Sequence, residues 1–149
     1  MSVSKDFEEL FACLNARGVR AVIVGAYAVA FHAKPRFTKD IDILVEPSTE
    51  NADRLLAALA DFGFGSLGLT AADFAAPGRI VQLGYPPSRV DLITAIDGVD
   101  FDTAWRGRVE GRYGSAAVYY LGKDELIRNK SAAGRPQDLV DLATLAEIS

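Results

Sequence analysis

With 149 residues, half of them apolar and 24% charged, the chain has the size and balance of one soluble globular domain. A net charge of −4 argues against a dedicated nucleic-acid coat, and no apolar stretch reaches the roughly 18 residues of a membrane span. One cysteine excludes an intramolecular disulfide, and the acidic opening MSVSKDFEELF lacks a signal peptide's basic flank and apolar core, so a cytoplasmic protein is expected.

KDFEELFACLNARG opens the chain with Phe7, Leu10, Phe11 and Leu14 at helical spacing and a C-cap glycine at Gly18; Cys13 falls on the apolar face of this helix. VRAVIVG is a short apolar strand closing on Gly25. AYAVAFHA is a helix of small residues, broken by KPRFTK. IDILV is the second strand. Ser48 or Thr49 caps the helix NADRLLAALADFG, which ends at Gly63. TAADFAAPG reads as one helical turn. RIVQLG and RVDLITAI are strands joined by YPPS as an antiparallel hairpin, and VDFDTAWRG is a short helix carrying Trp105. RVEGRYGSAAVYYLG is a further hairpin around Gly114. KDELIRNKSAAG and PQDLVDLATLAEI are closing helices, the second started by Pro136 at its first position. The expected fold is one α+β domain over residues 1–149: a small mixed or antiparallel sheet with helices packed mainly on one face.

Asp40 and Asp42 sit one residue apart inside the apolar run IDILV. On a strand, residues i and i+2 share a face, about 7 Å apart, and two like charges that close repel unless a cation lies between them. Asp91 interrupts RVDLITAI in the same way and joins the pair if the two strands are neighbours. Three carboxylates without a His or Cys cluster form a hard-oxygen site suited to Mg²⁺ or Mn²⁺, and His32, the single histidine, argues against zinc. A D-x-D pair taken alone is also common at strand ends, where it only solvates a loop.

VIVGAYAVAF is a strand running into a helix through Gly25, a turn whose backbone N–H groups and helix dipole suit phosphate. It carries neither the P-loop pattern nor the dinucleotide fingerprint. Between residues 104 and 135, Arg106, Arg108, Arg112, Lys123, Arg128, Lys130 and Arg135 outnumber the acids, which fits either a polyanionic ligand or a solvated face.

VIVGAYAVAFHAKPRFTKDIDILV, followed by LIRNKSAAGRPQDLVDLATL, resembles the minimal nucleotidyltransferases of the polymerase-β-like superfamily. It is similar in particular to the small bacterial branch related to the AbiEii-type toxin nucleotidyltransferases, over residues 20 to 145. The resemblance implies that Asp40 and Asp42 bind metal, that Asp91 is the third carboxylate helping to activate the attacking hydroxyl, and that Gly25 and Ala26 form the phosphate turn. It implies that Lys130 reaches the nucleotide phosphates and that Arg36 and Thr38 bind phosphate or order their loop. Arg135, Asp138 and Asp141 match the last helix, in a salt-bridging or a catalytic role. Ala26 departs from the serine or second glycine common at its position, so a phosphate contact there must come from backbone N–H groups.

The implied reaction is Mg²⁺- or Mn²⁺-dependent transfer of NMP from an NTP to a hydroxyl on RNA, protein or a small molecule, in a toxin–antitoxin or phage-defence setting. The expected protein partner is a second copy in a homodimer or a small helical protein. The alternative is a non-catalytic nucleotidyltransferase-like module that binds a protein as an antitoxin does. For His32 the readings are structural support or a role near the site. Tyr119 and Tyr120 read as a strand with one side buried, or as one base-stacking ring.

Overall fold

The structure is a computed structural model in which residues 5–33, 40–84 and 89–147 are described. Arg36 and Thr38, and the YPPS turn, lie outside the described residues.

Helix α1 (Lys5–Ala16) buries Phe7, Leu10, Phe11 and Leu14, the positions its periodicity predicts. Strand β1 (Ala21–Val24) runs into helix α2 (Gly25–His32), and β2 (Asp40–Val45) carries the two aspartates. Helix α3 (Thr49–Phe62) starts where the Ser48 hydroxyl accepts from the Asn51 N–H at 3.1 Å and stops at Gly63, whose φ of 111° is open to glycine. Residues 71–73 form a single 3₁₀ turn. Strands β3 (Ile80–Leu83) and β4 (Arg89–Ile93) pair antiparallel, as do β5 (Val109–Tyr113) and β6 (Ala116–Tyr120). The short α4 (Phe101–Arg106) precedes the second hairpin. Helices α5 (Lys123–Ala133) and α6 (Pro136–Ala146) close the chain.

The six strands form one mixed sheet in the order β3-β4-β2-β1-β6-β5. β2 is antiparallel to β1 and parallel to β4, which fixes what stands beside each aspartate: Asp40 is opposite Arg89, and Asp42 is opposite Asp91. The strand alternation divides the apolar residues between two cores. Ile41, Ile43, Val45, Val90 and Leu92 point into the first, with α1 and α3. Val22, Val24 and Leu44 point into the second, with α2, α4, α5 and α6. The mixed sheet agrees with expectation, but the helices are shared between both of its faces rather than gathered mainly on one. The physical reason is that the second-core strand residues are as apolar as the first, and small residues such as Ala28 let α2 lie close on them.

Because side chains alternate, Asp40, Asp42 and Asp91 fall on the face of the second core. The strand tolerates them because its opposite face is so well buried. Ile41 and Ile43 have no solvent exposure and contribute about 2 kcal/mol each. Among the described residues, no helix is long and apolar enough to cross a membrane.

Candidate active site

Asp40, Asp42, Arg89 and Asp91 make a square on adjacent strands, two residues apart along each strand and one strand spacing apart across it. Three corners are carboxylates. The fourth, Arg89, lies between two of them: its Nη2 is 2.8 Å from Asp40 Oδ2, and its Nε is 3.3 Å from Asp91 Oδ1. Asp42 is left without the guanidinium. Burial pushes its carboxyl up to about 6, and the adjacent Asp91 charge, a shared hydrogen bond with Asp91 and the Asp40 charge add to the shift, against a smaller pull from Lys130. A divalent cation beside Asp42 would supply the positive charge that the burial of this carboxylate and its acidic neighbours leave it short of.

Gly25 begins α2 directly against this pair. Its φ is +67°, a conformation that costs an L side chain strain, and a Cβ there would collide with Asp42 Oδ2, with Asp42 Cγ at 3.3 Å. Glycine is therefore required by the aspartate as much as by the turn. Val24 precedes it as the N-cap residue and offers no side-chain acceptor, so no side chain caps the first turn of α2.

A cleft of about 730 Å³ opens over these residues. Its lining includes Gly25, Ala26 and Asp42, the apolar Ile80, Ile93 and Ile96, and Lys130, Arg135 and Asp138. Lys130 stands in this lining but is only 6% exposed. Its Nζ is 3.1 Å from Asp138 Oδ1 and 3.2 Å from Asp141 Oδ2. Two of its three N–H donors are thus directed at carboxylates, leaving at most one for a phosphate in the cleft. Arg135 caps the cluster: its Nε is 2.8 Å from Asp138 Oδ2, and its side chain remains 74% exposed at the cleft rim. The Arg135 hydrogen bond, joined by Lys130, draws Asp138 down to about 2 despite its burial.

His32 donates Nε2–H to the Leu121 carbonyl at 2.7 Å, which ties α2 to the end of β6, a structural role. Tyr120 is buried beneath a stacked Phe31, with ring centroids 4.1 Å apart. The neighbouring Tyr119 meets the edge of Trp105 and receives the Arg108 guanidinium at 4.7 Å. Several cations of the basic C-terminal third are thus engaged within the fold, Arg108 over Trp105 at 3.8 Å and Lys130 in its carboxylate pair.

Sequence reasoning passed over Arg89. The signal was present, since Arg89 and Asp91 are i and i+2 on one strand and so share a face. Its contact with Asp40 needed the parallel register of β2 and β4.

Among the described residues, no group of three or more His, Cys, Asp or Glu side chains is gathered as a ready metal site. The donor set nonetheless fits a hard divalent cation: Asp42 and Asp91 lie side by side and offer only oxygen donors, and the raised Asp42 carboxyl marks a deficit of positive charge.

No protein-family model matches the sequence, and no curated protein matches it closely enough to count as a relative. Solved structures do match the fold. A Thermotoga maritima protein of proposed nucleotidyltransferase function has a TM-score of 0.61 at 14% identity, covering 96% of this chain and 91% of its own. ANT(2″)-Ia, in complex with adenylyl-2″-tobramycin, has a TM-score of 0.60 at 15% identity over 95% of this chain and 86% of its own. The lincosamide antibiotic adenylyltransferase LnuA, bound to lincomycin, matches over 100% of both chains with a TM-score of 0.56 at 14% identity. The fold is that of the nucleotidyltransferases. Within this fold, Asp42 and the glycine turn line the cleft, and Asp91 stands beside Asp42 on the neighbouring strand.

Proposed function

We propose that the protein is a divalent-metal-dependent nucleotidyltransferase that moves NMP from an NTP to an acceptor hydroxyl. The observation that carries this reading is the register Asp42 opposite Asp91 with Gly25 packed against Asp42 at the mouth of the cleft. Mg²⁺ or Mn²⁺ held by Asp42 and Asp91, with Asp40 as a further ligand, would lower the pKa of the acceptor hydroxyl and neutralise charge on the leaving pyrophosphate. The chain's own part is placement and electrostatics. The start of α2 at Gly25 and Ala26 offers backbone N–H groups to phosphate. Arg135, largely exposed, offers a cation within the same cleft. Lys130 contributes its positive field to Asp42 from beneath the surface and holds Asp138 and Asp141 in place. The apolar wall of Ile80, Ile93 and Ile96 suits a base or the body of an acceptor.

The tobramycin adduct bound to ANT(2″)-Ia and the lincomycin bound to LnuA support a small-molecule hydroxyl as the first class to test, beside RNA and protein. The run from Lys130 through Arg135 to Asp141 supports placement in the AbiEii-type branch, and with it a toxin–antitoxin setting. The second reading, a non-catalytic binding module, draws on one observation: Arg89 already neutralises Asp40 and Asp91. Incubation with each labelled NTP, Mg²⁺ or Mn²⁺, and separate pools of total RNA, lysate protein and aminoglycosides decides between the two. Label transfer that disappears in Asp42→Asn is the expected result. Transfer retained in that variant, or none from any NTP, would overturn the enzymatic reading.

A further inference from the structure

Arg89 occupies the place where a cation is wanted, and it does so poorly. Its guanidinium spans Asp40 on β2 and Asp91 on its own strand, held there by the parallel register rather than by a mobile loop tip. Yet its Nε and the facing Asp91 Oδ1 are both buried and neither makes a hydrogen bond of acceptable geometry, although they are 3.3 Å apart. The other contact to Asp91, from Nη2, is stretched to 3.4 Å. Arginine binds a carboxylate best through two parallel hydrogen bonds in the plane of its fork, and here the fork is divided between two acids without completing a pair with Asp91. Buried polar atoms left in this state keep part of their desolvation penalty. Among the described residues, Arg89 therefore serves Asp40 and Asp91 and makes no ion pair with Asp42 on the same face.

We propose that Arg89 is a built-in competitor for the metal site: it holds Asp40 and Asp91 while no divalent cation is present, and a cation binds only by displacing it. The device rests on the proposed metal-dependent reading of the same cluster. Its consequence is an affinity for free Mg²⁺ or Mn²⁺ set below what three carboxylates would give, so that cation brought with a polyphosphate is favoured over cation alone. No covalent step is involved. Two ion pairs are exchanged for metal–oxygen bonds, and the guanidinium is released beside the cleft.

Mn²⁺ titration of the nucleotide-free protein, followed by the EPR signal of free Mn²⁺, reads the competition directly without reference to activity. Arg89→Gln is expected to bind Mn²⁺ at least tenfold more tightly than wild type, and Arg89→Lys, which keeps the charge but loses the fork, several-fold more tightly. Unchanged or weaker binding in both variants would overturn the proposal. Should Arg89→Gln fail to fold, as far-ultraviolet circular dichroism would show, Arg89→Lys carries the same test. Tighter Mn²⁺ binding in the variants with no nucleotidyl transfer by wild type would sink the proposed reaction and leave the competitor standing. Transfer by wild type with unaltered Mn²⁺ affinity in the variants would do the reverse, and no Mn²⁺ binding by any of the three proteins would overturn both.

Discussion

Two clusters of acids lie on the same face of this sheet, and they are treated in opposite ways. Around Lys130, two carboxylates share a buried ammonium, with Arg135 closing over the top, and Asp138 is drawn down to about 2. Around Asp42, an imperfectly placed guanidinium serves Asp40 and Asp91 but not Asp42, and Asp42 is pushed up to about 6. The first cluster is complete in itself and ties α5 to α6. The second is left short of positive charge at the mouth of a cleft. Acids that the fold has neutralised are structural, and acids that it has placed together and left short are positioned for a ligand that brings the missing charge.

The largest effect expected from this contrast is in the complete cluster. Lys130→Ala leaves Asp138 and Asp141 buried with Arg135 as the remaining cation, and should cost about 3 kcal/mol in a denaturant titration. A loss below about 1 kcal/mol would show that the cluster does not hold the two helices together.

Next comes the glycine that joins the turn to the deficient cluster. Gly25→Ala combines a positive φ with a collision against Asp42 and should destabilise by about 2 kcal/mol. In an Asp42→Ala background the collision is gone and only the strain remains, so the cost should fall by about half. Equal costs in both backgrounds would mean that the two residues are not coupled.

The smallest effect has a revealing sign. A carboxyl whose folded pKa is raised from 3.8 to about 6 gives the native state extra protons in that window, so stability falls as pH rises through it. Asp42→Asn removes this loss. The variant should match wild type near pH 4 and exceed it by about 1–2 kcal/mol at pH 8, allowing for partial exposure of the group. Asp138 works the other way, because its folded pKa is depressed. The stability it contributes is complete above about pH 4 and is lost as pH falls towards 2. Chemical denaturation of both proteins from pH 3 to 8 reads the two signs together. A variant less stable than wild type at pH 8 would contradict the picture of an uncompensated Asp42.

Much of this was legible in the sequence because it rests on short-range rules. Alternation alone placed Asp40 and Asp42 on one face, and the apolar residues around Asp91 marked a second strand of the same kind. Order along the chain could not give register, and register is what sets Asp42 beside Asp91 and Arg89 beside Asp40. The burial of Lys130 was hidden for a similar reason. KDELIRNK is charged throughout, and only the docking of α6, which brings Asp138 and Asp141 over it, turns a surface lysine into an interior one. The helices on the second face were missed because α2 is apolar nearly all round, with Tyr27, Ala28, Val29 and Ala30 all buried, so its sequence shows no exposed side to orient it.

The central claim is that the Asp42 cluster is completed by a divalent cation with nucleotide. The most direct test is thermal unfolding of wild type and Asp42→Asn at pH 8, each with and without Mn²⁺ plus a non-hydrolysable NTP. Asp42→Asn should melt higher than wild type when neither is present, and wild type should melt higher once both are added. An order that stays the same in the two conditions would contradict the claim.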